Sequence, residues 1–267
     1  MFFIFSFIAE IKKGVLNMNQ NPCYIYDEIS KTELILYINS ALSYPLHNHS
    51  SIFSIGIILE GNIRLSEAGK SYTYSAGEIF IIPPYLPHTL NSAGKASLLT
   101  ICLNKNNISG IDTDQIMNRI IFLCTQALSL DSFNKIQLSL IAESILYCKY
   151  FSAYKSVTPQ IKKLRQMLEV SPETAMNIEK MAKSAYMSKY HFIRKFKRET
   201  GLTPHQFQVQ NKIRKAQRIF GNSENIAELA IETGFFDQSH FTRYFKKIIG
   251  LTPAAYKKAF KIVSGTL

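Results

Sequence analysis

The sequence predicts an α+β multidomain protein with an N-terminal β-barrel, a helical segment and a C-terminal all-α domain. Between residues 22 and 104, short β-rich runs alternate with Gly, Pro and Asn, a pattern typical of a barrel or sandwich. From residue 112 onward, apolar residues recur at helical spacings of three and four. The excess positive charge lies entirely in residues 156–267, with 20 Lys and Arg against 8 acidic residues, whereas residues 1–155 hold 11 of each. This asymmetry indicates a polyanion-binding domain joined to a neutral one.

Residues 1–21 form a tail ahead of the barrel. The tail opens with an apolar run of about eight residues, which is too short to span a bilayer. It also lacks the basic stretch that precedes the apolar core of a signal peptide, so no membrane association is expected. Two alternatives stay open: the tail belongs to the native protein, or translation starts at Met18 and the preceding residues are an upstream artefact.

The neutral half divides into a barrel over residues 22–111 and a pair of amphipathic helices over 112–151. The apolar stripe of these helices needs a cover, which is either the barrel or a second subunit. We favour a contribution from a second subunit, which would make this a dimerisation segment and the protein a homodimer. The turn-prone residues 152–159 predict a linker. The four cysteines form no C-x-x-C pair, so neither a zinc knuckle nor a disulfide framework is predicted, and a cytoplasmic location fits.

Residues 160–263 contain the same short segment twice, HFIRKFKRETGLTP from His191 and HFTRYFKKIIGLTP from His240. Nine of the fourteen positions are identical. In each copy Gly ends one helix, Thr caps the next and Pro takes its first position. The region is therefore predicted to be helical throughout after Pro159, with short breaks.

Each copy predicts a recognition helix preceded by a shorter helix and a tight turn, which is a helix-turn-helix. Ser188 and Asp237 are good caps for the longer helices, and Asn177 and Asn225 open the shorter ones. Phenylalanines four residues apart in each long helix share its buried face, which leaves Arg, Lys, hydroxyl and aromatic groups outward. Such a face suits the major groove of DNA.

Residues 160–260 resemble the DNA-binding domain of AraC/XylS-type transcription regulators. The stretches AKSAYMSKYHFIRKFKRETGLTPHQF and IAELAIETGFFDQSHFTRYFKKIIGLTPAAY carry this resemblance, and the second is the more specific. It implies two helix-turn-helix units joined by a long helix, here about Pro204 to Phe220, that read successive major-groove segments. By position it implies base contacts from Tyr190, Ile193, Arg194, Gln238, Ser239, Thr242 and Arg243.

Basic residues beside the reading face are assigned to phosphates, which supply salt-dependent affinity rather than sequence choice. They are Lys189, Lys195, Lys197, Arg198, Lys246 and Lys247. The connecting helix, at about 25 Å, is comparable with the spacing of about 34 Å between groove segments on one DNA face.

The neutral half resembles a cupin barrel, through LHNHSSIFSIGIILEGNIRL and SAGEIFIIPPYLPHTL. The resemblance implies His47, His49 and His88 as metal ligands, but the position of the expected Glu holds Phe53. Three alternatives stay open for the histidines: ordinary polar residues, hydrogen-bonding groups of an effector pocket, or a three-histidine metal site. We expect a pocket that uses His47, His49, Phe53, Tyr85 and His88, with no metal and no cofactor.

Together these features predict a sequence-specific transcription regulator, an activator rather than an enzyme, whose barrel senses a small-molecule effector such as a sugar or another metabolite. The expected partners are double-stranded DNA, RNA polymerase, the effector and a second copy of the chain. Two other functions remain open. One is a cupin-type metalloenzyme with an appended DNA-binding domain, and the other is a regulator without a small-molecule effector.

Overall fold

The computed structural model describes residues 22–27, 30, 32–67, 69–105, 112–128, 135–150, 157–223 and 225–263. The predicted N-terminal tail, most of the predicted linker and the loop 106–111 lie outside these residues. Among the helices of the described part, none is both long and apolar enough to cross a bilayer.

The N-terminal half is a strongly paired antiparallel barrel, as the alternation of strands and turns predicted. Its strands are β1 (Cys23–Asp27), β2 (Thr32–His47), β3 (Ile52–Glu60), β4 (Asn62–Glu67), β5 (Lys70–Ser75), β6 (Ile79–Ile82) and β7 (His88–Asn104). The sheet runs in the order β5-β4-β7-β2-β1-β8, where β8 (Phe260–Val263) comes from the C-terminal half, and β3 pairs with both β6 and β7. The long strands β2 and β7 cross several irregularities in register, which bend them around the barrel.

Both faces of the barrel wall are apolar because each face has a cover. On β3 the side chains of Phe53, Ile55 and Ile57 point to one side and pack in a core with helices α1 (Thr113–Leu128) and α2 (Lys135–Tyr150). Ile58 of β3, Ile63 and Leu65 of β4, and Phe80 and Ile82 of β6 pack in a second core on the other side. The apolar stripe of the helical pair is thus covered by the barrel, and the second subunit remains an expectation.

The C-terminal half is a chain of short helices, as predicted. They are α3 (Pro159–Val170), α4 (Ile178–Ser184), α5 (Lys189–Thr200), α6 (Pro204–Ile219), α7 (Ile226–Glu232), α8 (Gln238–Ile249) and α9 (Pro253–Ala259), with a 3₁₀ turn at Phe220–Asn222. The predicted caps are present: Asn177, Ser188, Asn225 and Asp237 each accept a hydrogen bond from a backbone N–H three residues on. Gly201 and Gly250 end α5 and α8 at positive φ.

The prediction of helix throughout after Pro159 is wrong at the far end. Phe260–Val263 form a strand, β8, that pairs in parallel with β1 of the barrel, from Tyr24 opposite Phe260 to Asp27 opposite Val263. The open edge of β1 offers unpaired backbone groups to this segment. The two halves of the chain therefore share one sheet.

Candidate DNA-reading surface and interdomain cleft

The two recognition helices, α5 and α8, are held by the same pair of aromatic anchors. Phe192 and Phe196 in α5, and Phe241 and Phe245 in α8, are completely buried. Each pair lies four residues apart and therefore on one helix face. The anchors belong to two separate cores, one for each helix-turn-helix unit.

The opposite faces of these helices are open to solvent. Tyr190 is 75% exposed, and Arg194, Gln238, Ser239 and Arg243 are exposed as well. Ile193 and Thr242 are half-buried at the edge of the face, and Ile193 packs against the core of its unit. The structure thus places the seven predicted base-contact residues on the outer side of α5 and α8 or at its edge.

The predicted phosphate-contact residues flank this surface. Lys197, Arg198, Lys246 and Lys247 lie in the last turns of the two helices and are exposed. Lys189 stands 3.4 Å from the carboxylate of Glu179. Lys195 is half-buried, with its Nζ 3.9 Å from Glu199 one turn on.

Two exposed aromatic residues of this surface were missed by the sequence reasoning. Tyr186, at positive φ, and Phe236 lie in the turns before α5 and α8 and are 95% and 91% exposed. The available signal was an aromatic side chain in each of the two turns. Both residues are adjacent to the reading face and available for contact with DNA.

A cleft opens between the barrel and the connecting helix α6, with an empty volume of about 730 Å³ including its mouth. Its walls are mainly apolar and aromatic, with side chains from five barrel strands, and α8 closes it with Ile248 and Ile249. Three polar side chains of α6 reach it at intervals of four and three residues, Gln210, Arg214 and Gln217. These intervals place them on one stripe of the helix facing the barrel.

The three predicted histidines meet in this cleft. Ring centroids lie 4.2 Å apart for His47 and His88, 4.9 Å for His47 and His49, and 5.2 Å for His49 and His88. Burial lowers the pKa of His47 to about 3 and that of His88 to about 4, and it lowers the pKa of His49 well below its usual value. All three imidazoles are therefore neutral at physiological pH.

Arg214 supplies the positive charge of the cleft. Its guanidinium hydrogen-bonds Nδ1 of His49, and its Nη1 lies 3.7 Å from the carboxylate of Glu33. Burial raises the pKa of Glu33, which the nearby charge of Arg214 opposes. Nε of Arg214 is buried and has no hydrogen-bond partner among the described residues.

The other two predicted pocket residues lie elsewhere. Phe53 is completely buried in the core between the barrel and the helical pair. The Tyr85 hydroxyl lies 2.7 Å from the hydroxyl of Ser51 and donates to Glu169 at 3.1 Å, while Arg165 stacks over the Tyr85 ring at 3.7 Å. Tyr85 therefore joins the barrel to α3 and not to the cleft. The sequence reasoning missed Arg214, Gln210 and Gln217, because nothing local ties a helix of one domain to strands of another.

Comparison with known proteins agrees with this architecture. A family model described as a helix-turn-helix domain matches residues 181–259, and a cupin-domain model matches residues 35–103. The lactose operon transcription activator of Staphylococcus xylosus is 23% identical over 206 residues, which are 67% of this chain and 74% of that protein. The chain combines an AraC-type helix-turn-helix domain with a cupin domain.

Solved structures of ToxT from Vibrio cholerae are similar in fold to this chain across both of its halves. One has a TM-score of 0.57 at 12% identity and covers 85% of this chain and 97% of its own. Another, of ToxT bound to an unsaturated fatty acid, has a TM-score of 0.56 at 15% identity, with coverages of 85% and 94%. The likeness establishes that the two folds correspond.

Metal-binding members of the cupin fold imply a metal at the histidines, and the residues do not fit one while Arg214 is in place. Ligand atoms of His47, His49 and His88 lie within 4.8 Å of one another. However, Phe53 takes the place of the carboxylate ligand and points into a different core. The Arg214 guanidinium also holds the lone pair of His49 Nδ1 and brings a positive charge to the cluster.

Proposed function

We propose that this protein is a transcription activator that reads DNA through α5 and α8 and responds to a small molecule in the cleft between its domains. The main support for DNA reading is the duplicated recognition helix, which is anchored by buried phenylalanines and exposed on its opposite face. The excess charge supports it, because all of the net +12 lies in the half that contains these helices.

In this proposal the two units read different sequences. Tyr190, Ile193 and Arg194 contact bases in one groove segment, and Gln238, Ser239, Thr242 and Arg243 contact bases in the next. Because the copies differ where bases are read and agree where the fold is held, the site of a single protomer is asymmetric. Lys189, Lys195, Lys197, Arg198, Lys246 and Lys247 neutralise phosphates.

The division between bases and phosphates is tested by comparing Arg243→Ala with Lys247→Ala. Both residues are exposed on α8, so neither change removes a buried contact. Loss of a bidentate Arg–guanine contact weakens the binding free energy for the cognate site by about 1–3 kcal/mol and changes that for random DNA little. Loss of a phosphate contact lowers the affinity for both DNAs about equally. It also lowers the magnitude of the slope of log affinity against log salt concentration by about one. Fluorescence anisotropy on both DNAs at several salt concentrations measures this, and equal losses for Arg243→Ala contradict base reading.

For the effector we propose an apolar carboxylic acid. The apolar walls of the cleft suit a hydrocarbon, and at its polar end Arg214 presents a buried Nε–H that lacks a partner among the described residues. A carboxylate would satisfy that donor with a charge-assisted hydrogen bond. The bound fatty acid in one ToxT structure and the substituted butenoic acid in another support this class over a sugar.

Binding is tested with palmitoleate and its matched alcohol, palmitoleyl alcohol, which has the same chain but no charge. Palmitoleate at about 100 times its Kd is expected to stabilise the protein by about 2.7 kcal/mol in thermal unfolding, and the alcohol by much less. The Arg214→Met variant is expected to bind palmitoleate and palmitoleyl alcohol with similar affinity. A sugar that stabilises the protein while palmitoleate does not would favour the metabolite-sensing alternative.

The remaining expectations belong to the same proposal. A homodimer would form through the helical segment 112–151, and the activator would contact RNA polymerase in the cytoplasm. The lactose operon activator supports activation over repression. The regulators among the relatives, and the Phe at the position of a carboxylate ligand, favour a sensor over an appended metalloenzyme.

A further inference from the structure

The histidine cluster keeps two features of a cation site. Nδ1–H of His47 donates to the carbonyl of Pro45 at 2.8 Å, and Nδ1–H of His88 donates to the carbonyl of Leu86 at 2.8 Å. These bonds leave the Nε2 lone pair of each ring free. Backbone carbonyls that fix the tautomer in this way are typical of metal-binding histidines.

His49 differs from the other two because of Arg214. A guanidinium only donates hydrogen bonds, so Nδ1 of His49 must accept. A neutral imidazole that accepts at Nδ1 carries its proton on Nε2. While Arg214 is in place, neither nitrogen of His49 offers a free lone pair.

Arg214 comes from the other domain, and its neighbours on α6 hold it there. Four residues earlier, Nε2 of Gln210 donates to Oδ1 of Asn48 at 2.8 Å, and Asn48 lies between His47 and His49 in sequence. The Asn48 amide also donates to the carbonyl of Thr200 at the end of α5. The helix that links the two DNA-reading units is thus docked directly on the histidine cluster.

We propose that Arg214 occupies the cation position of the cluster, so that docking of α6 on the barrel and binding of a divalent transition metal by His47, His49 and His88 exclude each other. The barrel has kept the imidazoles and their orienting hydrogen bonds, and the DNA-binding domain supplies the cation. A metal that takes the three histidines must first displace Arg214, and it releases the connecting helix from the barrel.

Three steps of physical chemistry support this exclusion. A guanidinium a few ångströms from a dication repels it strongly in a partly buried site. The proton on Nε2 of His49 must leave or move before the ring can bind a metal. With Arg214 withdrawn, three neutral imidazoles remain, and such ligands suit cobalt, nickel, copper or zinc.

The test is a Co²⁺ titration of the full chain, followed by visible absorption, for the wild type and four variants. Arg214→Met removes the charge and is expected to tighten Co²⁺ binding by at least about tenfold. Arg214→Lys keeps a positive charge and should stay within about threefold of the wild type. Arg165→Met removes a guanidinium whose partners are Tyr85 and Glu169 rather than the histidine rings, and it should leave the affinity unchanged. Adding His88→Ala to Arg214→Met should abolish the tight site.

A second measurement follows docking in the wild type itself. Saturating Co²⁺ is expected to raise amide hydrogen exchange in residues 210–217 of α6, and not in the His88→Ala variant. Equal Co²⁺ affinity in the wild type and Arg214→Met overturns the proposal, as does the absence of binding in both. If Arg214→Met fails to fold, Co²⁺ saturation of the wild type without faster exchange in α6 is equally decisive against it. Neither DNA nor an effector is present in these measurements.

Discussion

At the scale of single residues, Gly201 has two roles, and its counterpart Gly250 shares only one of them. Both glycines end a recognition helix at positive φ, 80° for Gly201 and 86° for Gly250. A Cβ on Gly201 would lie 1.8 Å from the ring of Pro87 in the barrel, whereas on Gly250 the nearest atom would be the Tyr44 hydroxyl at 3.7 Å. Gly201 is therefore both a helix cap and a point of close approach between the domains.

We expect Gly201→Ala to weaken docking and Gly250→Ala to act only on its own helix. A non-glycine residue in the left-handed conformation costs about 1–2 kcal/mol, and Gly250→Ala should show that cost alone. Gly201→Ala should be more destabilising, because the barrel must also move away from α5. Thermal unfolding measures the total loss of stability for each substitution. Amide hydrogen exchange around Asn48 reports whether the contact between the domains is weakened. Equal effects of the two substitutions would contradict a structural role for the contact with Pro87.

At the scale of elements, two segments of the C-terminal half hold it to the barrel. Helix α6 presents Gln210, Arg214 and Gln217 along one stripe to the cleft. Strand β8 adds four residues to the edge of β1. The end of α8 is held between them, since the hydroxyls of Tyr24 and Tyr44 lie 3.4 and 3.5 Å from the carbonyl of Ile249. Both recognition helices thus meet the barrel at their C-terminal ends, which leaves their N-terminal turns outward.

Removal of β8 should loosen the second unit more than the first. Deleting residues 260–267 removes the parallel partner of β1, so we expect faster amide exchange in residues 24–27 and in α8. Because α5 contacts the barrel through Asn48 and Pro87, its exchange should change little. Lys261→Pro, which keeps the chain length but removes one backbone donor, should reproduce part of the effect. Unchanged exchange in residues 24–27 after the deletion would contradict the observed pairing.

At the scale of the whole molecule, the barrel and the DNA-binding domain form one docked body with a cleft between them. The relative position of α5 and α8 depends on α6, and α6 rests on the barrel. A molecule in the cleft lies against Arg214 and Ile249, next to both the connecting helix and the end of α8. An effector there is therefore positioned to change how the two recognition helices are held.

This arrangement predicts a reciprocal coupling between the effector and DNA. If palmitoleate changes the affinity for operator DNA by some factor, the operator must change the affinity for palmitoleate by the same factor. Titration calorimetry of palmitoleate with and without operator measures the second factor, and anisotropy measures the first. Random DNA serves as the control for charge alone. Identical palmitoleate affinity with and without operator would show that the cleft and the DNA-reading surface are uncoupled.

The parts of the molecule that sequence reasoning predicted are those governed by local physics. Helix caps such as Ser188 and Asp237, the glycine stops and the phenylalanine pairs depend on residues within one or two turns. The repeat made each of these signals stronger, because two copies agreed. The seven residues of the reading face were implied by the resemblance to AraC/XylS-type regulators, helical periodicity agreed with six of them, and all seven lie on that face or at its edge.

The parts that could not be predicted depend on contacts between distant residues. Strand β8 was expected to be helical because its pairing with β1 links residues that are more than 230 positions apart. Tyr85 was expected beside the histidines because a motif places residues in sequence and not in space. The sequence pattern of the helical pair also could not show what covers its apolar stripe, because the stripe is the same whether the barrel or a second subunit covers it.

The sequence by itself determined that this protein has a cupin-like barrel, a basic domain with two helix-turn-helix units, and three histidines in the barrel. Strand alternation, helical periodicity and capping are short-range rules, and they are legible along the chain. Only the tertiary structure decided that α6 docks on the barrel and that Arg214 enters the histidine cluster. Residues 49 and 214 meet through the packing of the helical half on the barrel, and no local preference of either residue determines that packing.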